Sequence, residues 1–167
     1  MTDRGEFDRL LAANDRYAES FEHSALTAAP VRGLVILTCM DARLDVLRAL
    51  GLAMGDAHII RNAGGLATDD AIRSLIVSQQ LLGTHEIVVI GHTGCGLLGV
   101  DEDAMRDRMA AETGEVLDMA FGSFDDLEAS VEASVERLRT HPWLKRVPVH
   151  GLVFDVATGR LREITPA

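Results

Sequence analysis

The sequence predicts an α/β fold: a mainly parallel β-sheet of about four strands plus a short antiparallel edge strand, flanked by helices. Three observations lead to it. Apolar runs of strand length, "VRGLVILT", "AHIIRN" and "HEIVVIGH", alternate with helix-patterned segments, the signature of strand-helix-strand crossovers. The third run is apolar almost throughout instead of at every second residue, as strands covered on both faces are. Near the end, "VPVHGLVFDVATGRLREI" reads as a strand, a turn around Thr158 and Gly159, and a short antiparallel strand.

At 167 residues the chain is expected to form a single domain, 1–167, with residues 1–28 as an N-terminal helical arm. Within the arm, residues 6 to 21 place Leu10, Leu11, Tyr17 and Phe21 on one loose helical stripe, followed by a turn-prone stretch ending at Pro30. After the first strand, "DARLDVLRALGL" spaces Leu44, Val46, Leu47 and Leu50 as a helix, with Gly51 as its stop. The second strand runs into the Gly-rich "NAGG". A helix follows, opened by Thr68, charged at its start by Asp69 and Asp70, and closed by Gly83. Beyond the third strand, residues 101 to 113 and 124 to 140 read as acidic amphipathic helices expected to cover the sheet. No internal repeat or low-complexity segment interrupts this order.

Charge and composition remove several classes of function. With 16 basic and 26 acidic residues the formal charge is −10, which repels phosphate backbones and anionic lipid, so no nucleic-acid partner is expected. No membrane association is expected either, because no run approaches the roughly 18 apolar residues that span a bilayer. The start "MTDRGEFDRL" lacks the features of a signal peptide, and a cytoplasmic protein is expected. In that reducing compartment the two cysteines are poor candidates for a structural disulfide.

Those cysteines stand at telling places. Cys39 leaves the first strand and His92 and Cys95 leave the third, and ligands of open parallel sheets sit beyond the carboxyl ends of the strands. If the two strands are neighbours, two thiols and an imidazole meet at one point. A Cys2His donor set suits tetrahedral Zn2+ with one position left for water or substrate. Alone, Cys39 would be an ordinary small core residue and His92 a satisfied histidine. Together, with His-x-x-Cys on a loop rich in glycine, they point to a metal. A thiol nucleophile at the start of the following helix is the rival chemistry, but an anion cradle would want an arginine where this chain has Asp45. Two and four residues after Cys39 come Asp41 and Arg43. Asp41 can accept a hydrogen bond from the metal's water while Arg43 holds it ionised and aimed. Alternatively Asp41 closes the site as a fourth ligand. Arg61 and Asn62 either shape the pocket or form interface contacts, and His58 and His85 are expected at the surface or at strand ends.

Cys39-x-Asp41-x-Arg43 followed by His92-x-x-Cys95, with "IIRNAGG" between them, resembles the β-class carbonic anhydrases, most closely their short actinobacterial-type branch. The resemblance covers about residues 31 to 100 in motif terms. It implies zinc held by Cys39, His92 and Cys95, a catalytic dyad of Asp41 and Arg43, and substrate binding near the backbone of Gly96. It also implies reversible hydration of carbon dioxide to bicarbonate and a proton by zinc-bound hydroxide, in a homodimer embraced by N-terminal helices. The chain departs from plant-type members in lacking a glutamine ahead of the first strand and an aromatic lining residue. Hydrolysis of carbonyl sulfide or carbon disulfide on the same site is therefore the alternative activity, and a non-catalytic zinc-binding or redox-sensing dimer is a third reading.

Overall fold

Strand β1, Leu34–Cys39, is six residues of which Val35, Ile36, Leu37 and Thr38 are fully buried, as the centre of a sheet demands. In a computed structural model, which describes residues 5–164, it pairs in parallel with β2 (Ala57–Asn62) on one side and β3 (Glu86–His92) on the other. Beyond β3 lie β4 (Val149–Phe154), also parallel, and β5 (Leu161–Ile164), antiparallel, giving the order β2-β1-β3-β4-β5. The sheet is thus four parallel strands with an antiparallel strand at one edge. Residues 1–4, which include the start read for signal features and the first part of the expected arm, lie outside the described residues.

Strand alternation assigns the two faces. Val35, Leu37, Ile87 and Val89 point to a core completed by Ile72 and Leu75 of α3 (Asp69–Gln80) and by Val131, Val135 and Leu138 of α5 (Leu127–Thr140). The neighbouring Ile36 and Ile90 point to the opposite face and meet Leu44 and Val46. Helix α5 lies close on β3 and β4 because Gly91 and Gly151 face it. A Cβ on Gly91 would come within 2.6 Å of Val131, and one on Gly151 within 3.0 Å. The start of α3 follows its sequence signals, since Thr68 caps the helix by accepting from the amide of Ala71 and Asp69 and Asp70 fill the positive first turn.

Two expectations need correction. The segment after Cys39 is not a helix from Asp41 onward: only α2, Val46–Ala49, is helical, and Asp41–Leu44 forms a turn. The cause is local competition, because the Asp41 carboxylate accepts the amide of Arg43 while Asp45 caps the short helix at Arg48. Cys39 therefore does not stand at a helix N-terminus, which removes the dipole argument for a nucleophilic thiol. The second correction concerns α4 (Glu102–Thr113), which buries none of its residues and so does not roof the sheet; α5 does. Helix α1, Gly5–Glu19, likewise buries no residue. It leaves Leu10, Leu11 and Tyr17 about half exposed or more. Among the described residues no helix is long and apolar enough to cross a membrane.

Candidate metal centre

β1 and β3 run side by side in register Thr38↔Ile90, so their carboxyl ends, Cys39 and His92, leave the sheet at the same level. The loop after β3 then turns back through Gly94, at φ +62°, and brings Cys95 to the same point. One ligand atom from each of Cys39, His92 and Cys95 lies within 4.8 Å of the other two, and all three residues are buried. This is the convergence expected from the strand ends.

Hydrogen bonding selects the donor atom. His92 Nδ1 lies 3.0 Å from the carbonyl oxygen of Thr93, which can only accept, so Nδ1 carries the proton and Nε2 presents its lone pair. That Nε2 is buried and has no hydrogen-bond partner. A buried acceptor left unpaired costs about 1–3 kcal/mol unless something fills its need. With two sulfurs beside it, the fitting occupant is a cation: tetrahedral bonds of about 2.0–2.3 Å hold N and S ligands roughly 3.3–3.8 Å apart, a small adjustment from the observed spacing. Both cysteines are free thiols, and burial pushes the Cys95 thiol above its ordinary value. A bound cation would favour the thiolate that burial disfavours at Cys95.

Beside the cluster, Asp41 and Arg43 form a bidentate pair. Arg43 Nε donates to Oδ1 at 2.9 Å and Nη2 to Oδ2 at 2.7 Å, and the Arg43 amide adds a third bond to Oδ1 at 2.9 Å. The Arg43 side chain, then its amide, hold the Asp41 carboxyl well below the usual carboxylate range, while the pair raises the guanidinium in turn. Arg43 Nη2 also donates to the carbonyl of Gly94 at 2.9 Å, so one side chain ties the Asp41 turn to the loop of Cys95. Asp41 Oδ2 is 3.8 Å from His92 Nε2. It is turned to the arginine, and the close group of metal-ligating atoms does not include it.

The end of β2 braces this arrangement, a role the sequence did not reveal. Arg61 donates from Nε to the carbonyl of Cys39 at 3.0 Å and from Nη2 to that of Asp41 at 2.6 Å. Asn62 folds the next turn by pairing its amide group with both the N–H (2.9 Å) and the carbonyl (2.7 Å) of Leu66. That turn lays Gly65 against β1 so tightly that a Cβ would stand 2.9 Å from the Cys39 nitrogen. The doubled glycine after an apolar run was the only signal that could have revealed this contact.

A cleft of about 490 Å³ opens over the cluster, walled by Met40, Ala42, Ala63, Gly64 and Leu97, with Gly96 beside Cys95. Around the position of a Cβ on Gly96 there is open space for 4 Å, so its backbone faces the cleft unobstructed. The wall is aliphatic, as the absence of an expected aromatic implied. His58 and His85 stand at the opposite end of the sheet, at the beginnings of β2 and β3. His58 bridges Ser78 Oγ and the carbonyl of Ala28, each at 2.8 Å.

With this geometry in place, comparisons give its kin. The family model described as carbonic anhydrase matches residues 34–161. The chain is 45% identical over 160 residues to beta-carbonic anhydrase 1 of Mycobacterium tuberculosis, covering 95% of this chain and 98% of the relative. It is 39% identical over 152 residues to a carbon disulfide hydrolase of Acidithiobacillus thiooxidans, covering 78% of this chain and 76% of that one. Its fold superposes on the crystal structure of a carbonic anhydrase from Streptococcus mutans with a TM-score of 0.90 at 42% identity, over 95% of this chain and 97% of that one. Parallel strand ends that gather Cys39, His92 and Cys95 beside an Asp41-Arg43 pair, together with these matches, place the chain in the β-carbonic anhydrase family.

Proposed function

We propose that this protein catalyses the reversible hydration of carbon dioxide to bicarbonate and a proton, with Zn2+ held by Cys39, His92 and Cys95. The observation that carries this reading is the buried, unpaired Nε2 of His92 facing two sulfurs next to an ionised carboxylate that Arg43 holds through both of its oxygens. When bound, Zn2+ supplies the Lewis acidity that ionises water near neutral pH. The rest is the work of this chain. Asp41, kept ionised by Arg43, can only accept hydrogen bonds; it therefore orients the attacking water by its proton and turns a lone pair toward the cleft. Arg43 keeps that carboxylate aimed through its further bond to Gly94. Met40, Ala42, Ala63 and Leu97 offer carbon dioxide an apolar wall, and Gly96 leaves room at its backbone for an oxygen of bicarbonate.

The exposed stripe of Leu10, Leu11 and Tyr17 on α1 supports a homodimer in which this helix covers the partner; Leu10→Glu with Leu11→Glu should then halve the mass in sedimentation. Two reduced thiols required for metal binding favour a cytoplasmic setting. The deciding experiment is carbon dioxide hydration by protein carrying one Zn2+ per chain, measured beside sulfide release from carbon disulfide. Hydration without sulfide release supports the proposal. The similarity to a carbon disulfide hydrolase favours the second reading, and sulfide release as the dominant activity would establish it. Full zinc occupancy with neither activity would leave a non-catalytic zinc protein.

A further inference from the structure

The structure assigns Arg61 as the positioning residue of the site: its guanidinium, spanning the carbonyls of Cys39 and Asp41, sets the turn that presents both the first thiol and the dyad carboxylate. This deepens the proposed function and rests on it for its kinetic readout. Past Cys39 the chain leaves the sheet, its last ladder contact being the Met40 amide on the carbonyl of Asn62 at 2.9 Å. From there the sheet no longer dictates the backbone, yet Cys39 and Asp41 must point their side chains at the same small volume.

Arg61 supplies what the ladder no longer does. Its Nε and Nη2 lie on one rigid plane, and they reach carbonyls two residues apart at 3.0 and 2.6 Å. Holding both carbonyls on one fork fixes the peptide orientations across Met40 and hence the angle between the Cys39 and Asp41 side chains. The backbone of the Gly64-Gly65 turn closes the other side of Cys39. Arg61 itself reaches neither the thiol nor the carboxylate, so it acts through the main chain. A lysine cannot substitute, because an ammonium is a single point donor on a flexible stem.

The test compares Arg61→Ala and Arg61→Lys with the wild type, as the full chain loaded with Zn2+. For Arg61→Ala the expected result is a kcat for carbon dioxide hydration lowered by about 10–100-fold with KM little changed, and release of Zn2+ to EDTA accelerated by a similar factor. Added guanidinium ion should restore part of kcat to Arg61→Ala, and Arg61→Lys should recover less than guanidinium does. The Zn2+-release arm separates this idea from the function: if the wild type binds Zn2+ but hydrates no carbon dioxide, the activity assignment falls while accelerated release from Arg61→Ala still supports Arg61. A folded Arg61→Ala variant with unchanged kcat and unchanged Zn2+ release overturns the assignment. So does a loss of kcat that guanidinium does not relieve and that follows dissociation of the oligomer on dilution, because Arg61 would then be an interface residue.

Discussion

Gly65→Ala puts a single methyl group where the site is most tightly built. Gly65 has φ +68°, so any L side chain there meets the left-handed penalty of about 1–2 kcal/mol. The new Cβ would also stand 2.9 Å from the Cys39 nitrogen and the Thr38 carbonyl carbon, and 3.2 Å from the Ile90 carbonyl oxygen. These are main-chain atoms of the two central strands, which cannot rotate away, and overpacking of this kind costs about 1–3 kcal/mol more. The sum, about 2–5 kcal/mol, corresponds to a Tm lower by about 4–20 °C for a domain of this size. Gly83→Ala is the matched control, with φ +75° and no atom within 4 Å of its Cβ, so it carries the backbone strain without the collision. Its Tm should fall by about 2–8 °C. The collision must displace Cys39, so Gly65→Ala should also weaken Zn2+ affinity in a chelator competition, and Gly83→Ala should leave it unchanged. Equal Tm losses and equal affinities in the two variants would refute the reasoning, since they would show that the Gly65 turn yields without moving β1.

Two further outcomes concern the site and a third the packing of α4. Cys39→Ser should bring Zn2+ below one ion per chain by elemental analysis, because a hydroxyl is a poor soft ligand; retained stoichiometric metal would contradict the ligand assignment. Asp41→Ala should keep its Zn2+ yet lose carbon dioxide hydration at neutral pH, and unchanged turnover would remove Asp41 from the mechanism. Away from the Cys39-His92-Cys95 cluster, Glu102 accepts the amides of Ser123 at 2.7 Å and Phe121 at 3.1 Å, and these bonds hold its pKa at about 2 against an ordinary 4.5. A lowered carboxylate stabilises the fold fully above its unfolded pKa and loses that contribution as pH falls through the folded one. The Tm gap between wild type and Glu102→Gln should thus be full above pH 4.5 and close as pH approaches about 2; a gap unchanged across that range would rule out the carboxylate as its source.

The sheet was readable because its signals are composition and alternation. β1 and β3 are apolar runs bounded by turns, and the rule that parallel strands deliver their ligands at one end was enough to bring Cys39 to His92 and Cys95. The boundaries of α3 were readable too, since Thr68 and the glycine beyond its end act within one helical turn. The false helix over 41–45 had the right leucine spacing, but spacing ignores a carboxylate that can take its neighbour's amide, as Asp41 takes that of Arg43. The acidic pattern of α4 misled differently. A pattern says which face is apolar, not whether a sheet lies beneath it, and α4 finds none.

The same division runs through the candidate metal centre and explains which half of it stayed hidden. The dyad joins residues two apart in the chain, so Asp41 and Arg43 announce each other. The brace joins Arg61 to carbonyls 22 and 20 positions earlier. Carbonyls carry no letter: every residue has one, and nothing in "IIRNAGG" says that its arginine will meet those of Cys39 and Asp41 in preference to a carboxylate. Only the parallel register of β1 on β2, which sets Cys39 opposite Asn62, decides it. A positioning residue that works through main-chain carbonyls is therefore a tertiary fact, visible once strand order and register are known, whereas ligands and dyad partners work through side chains whose chemistry is written in the sequence itself.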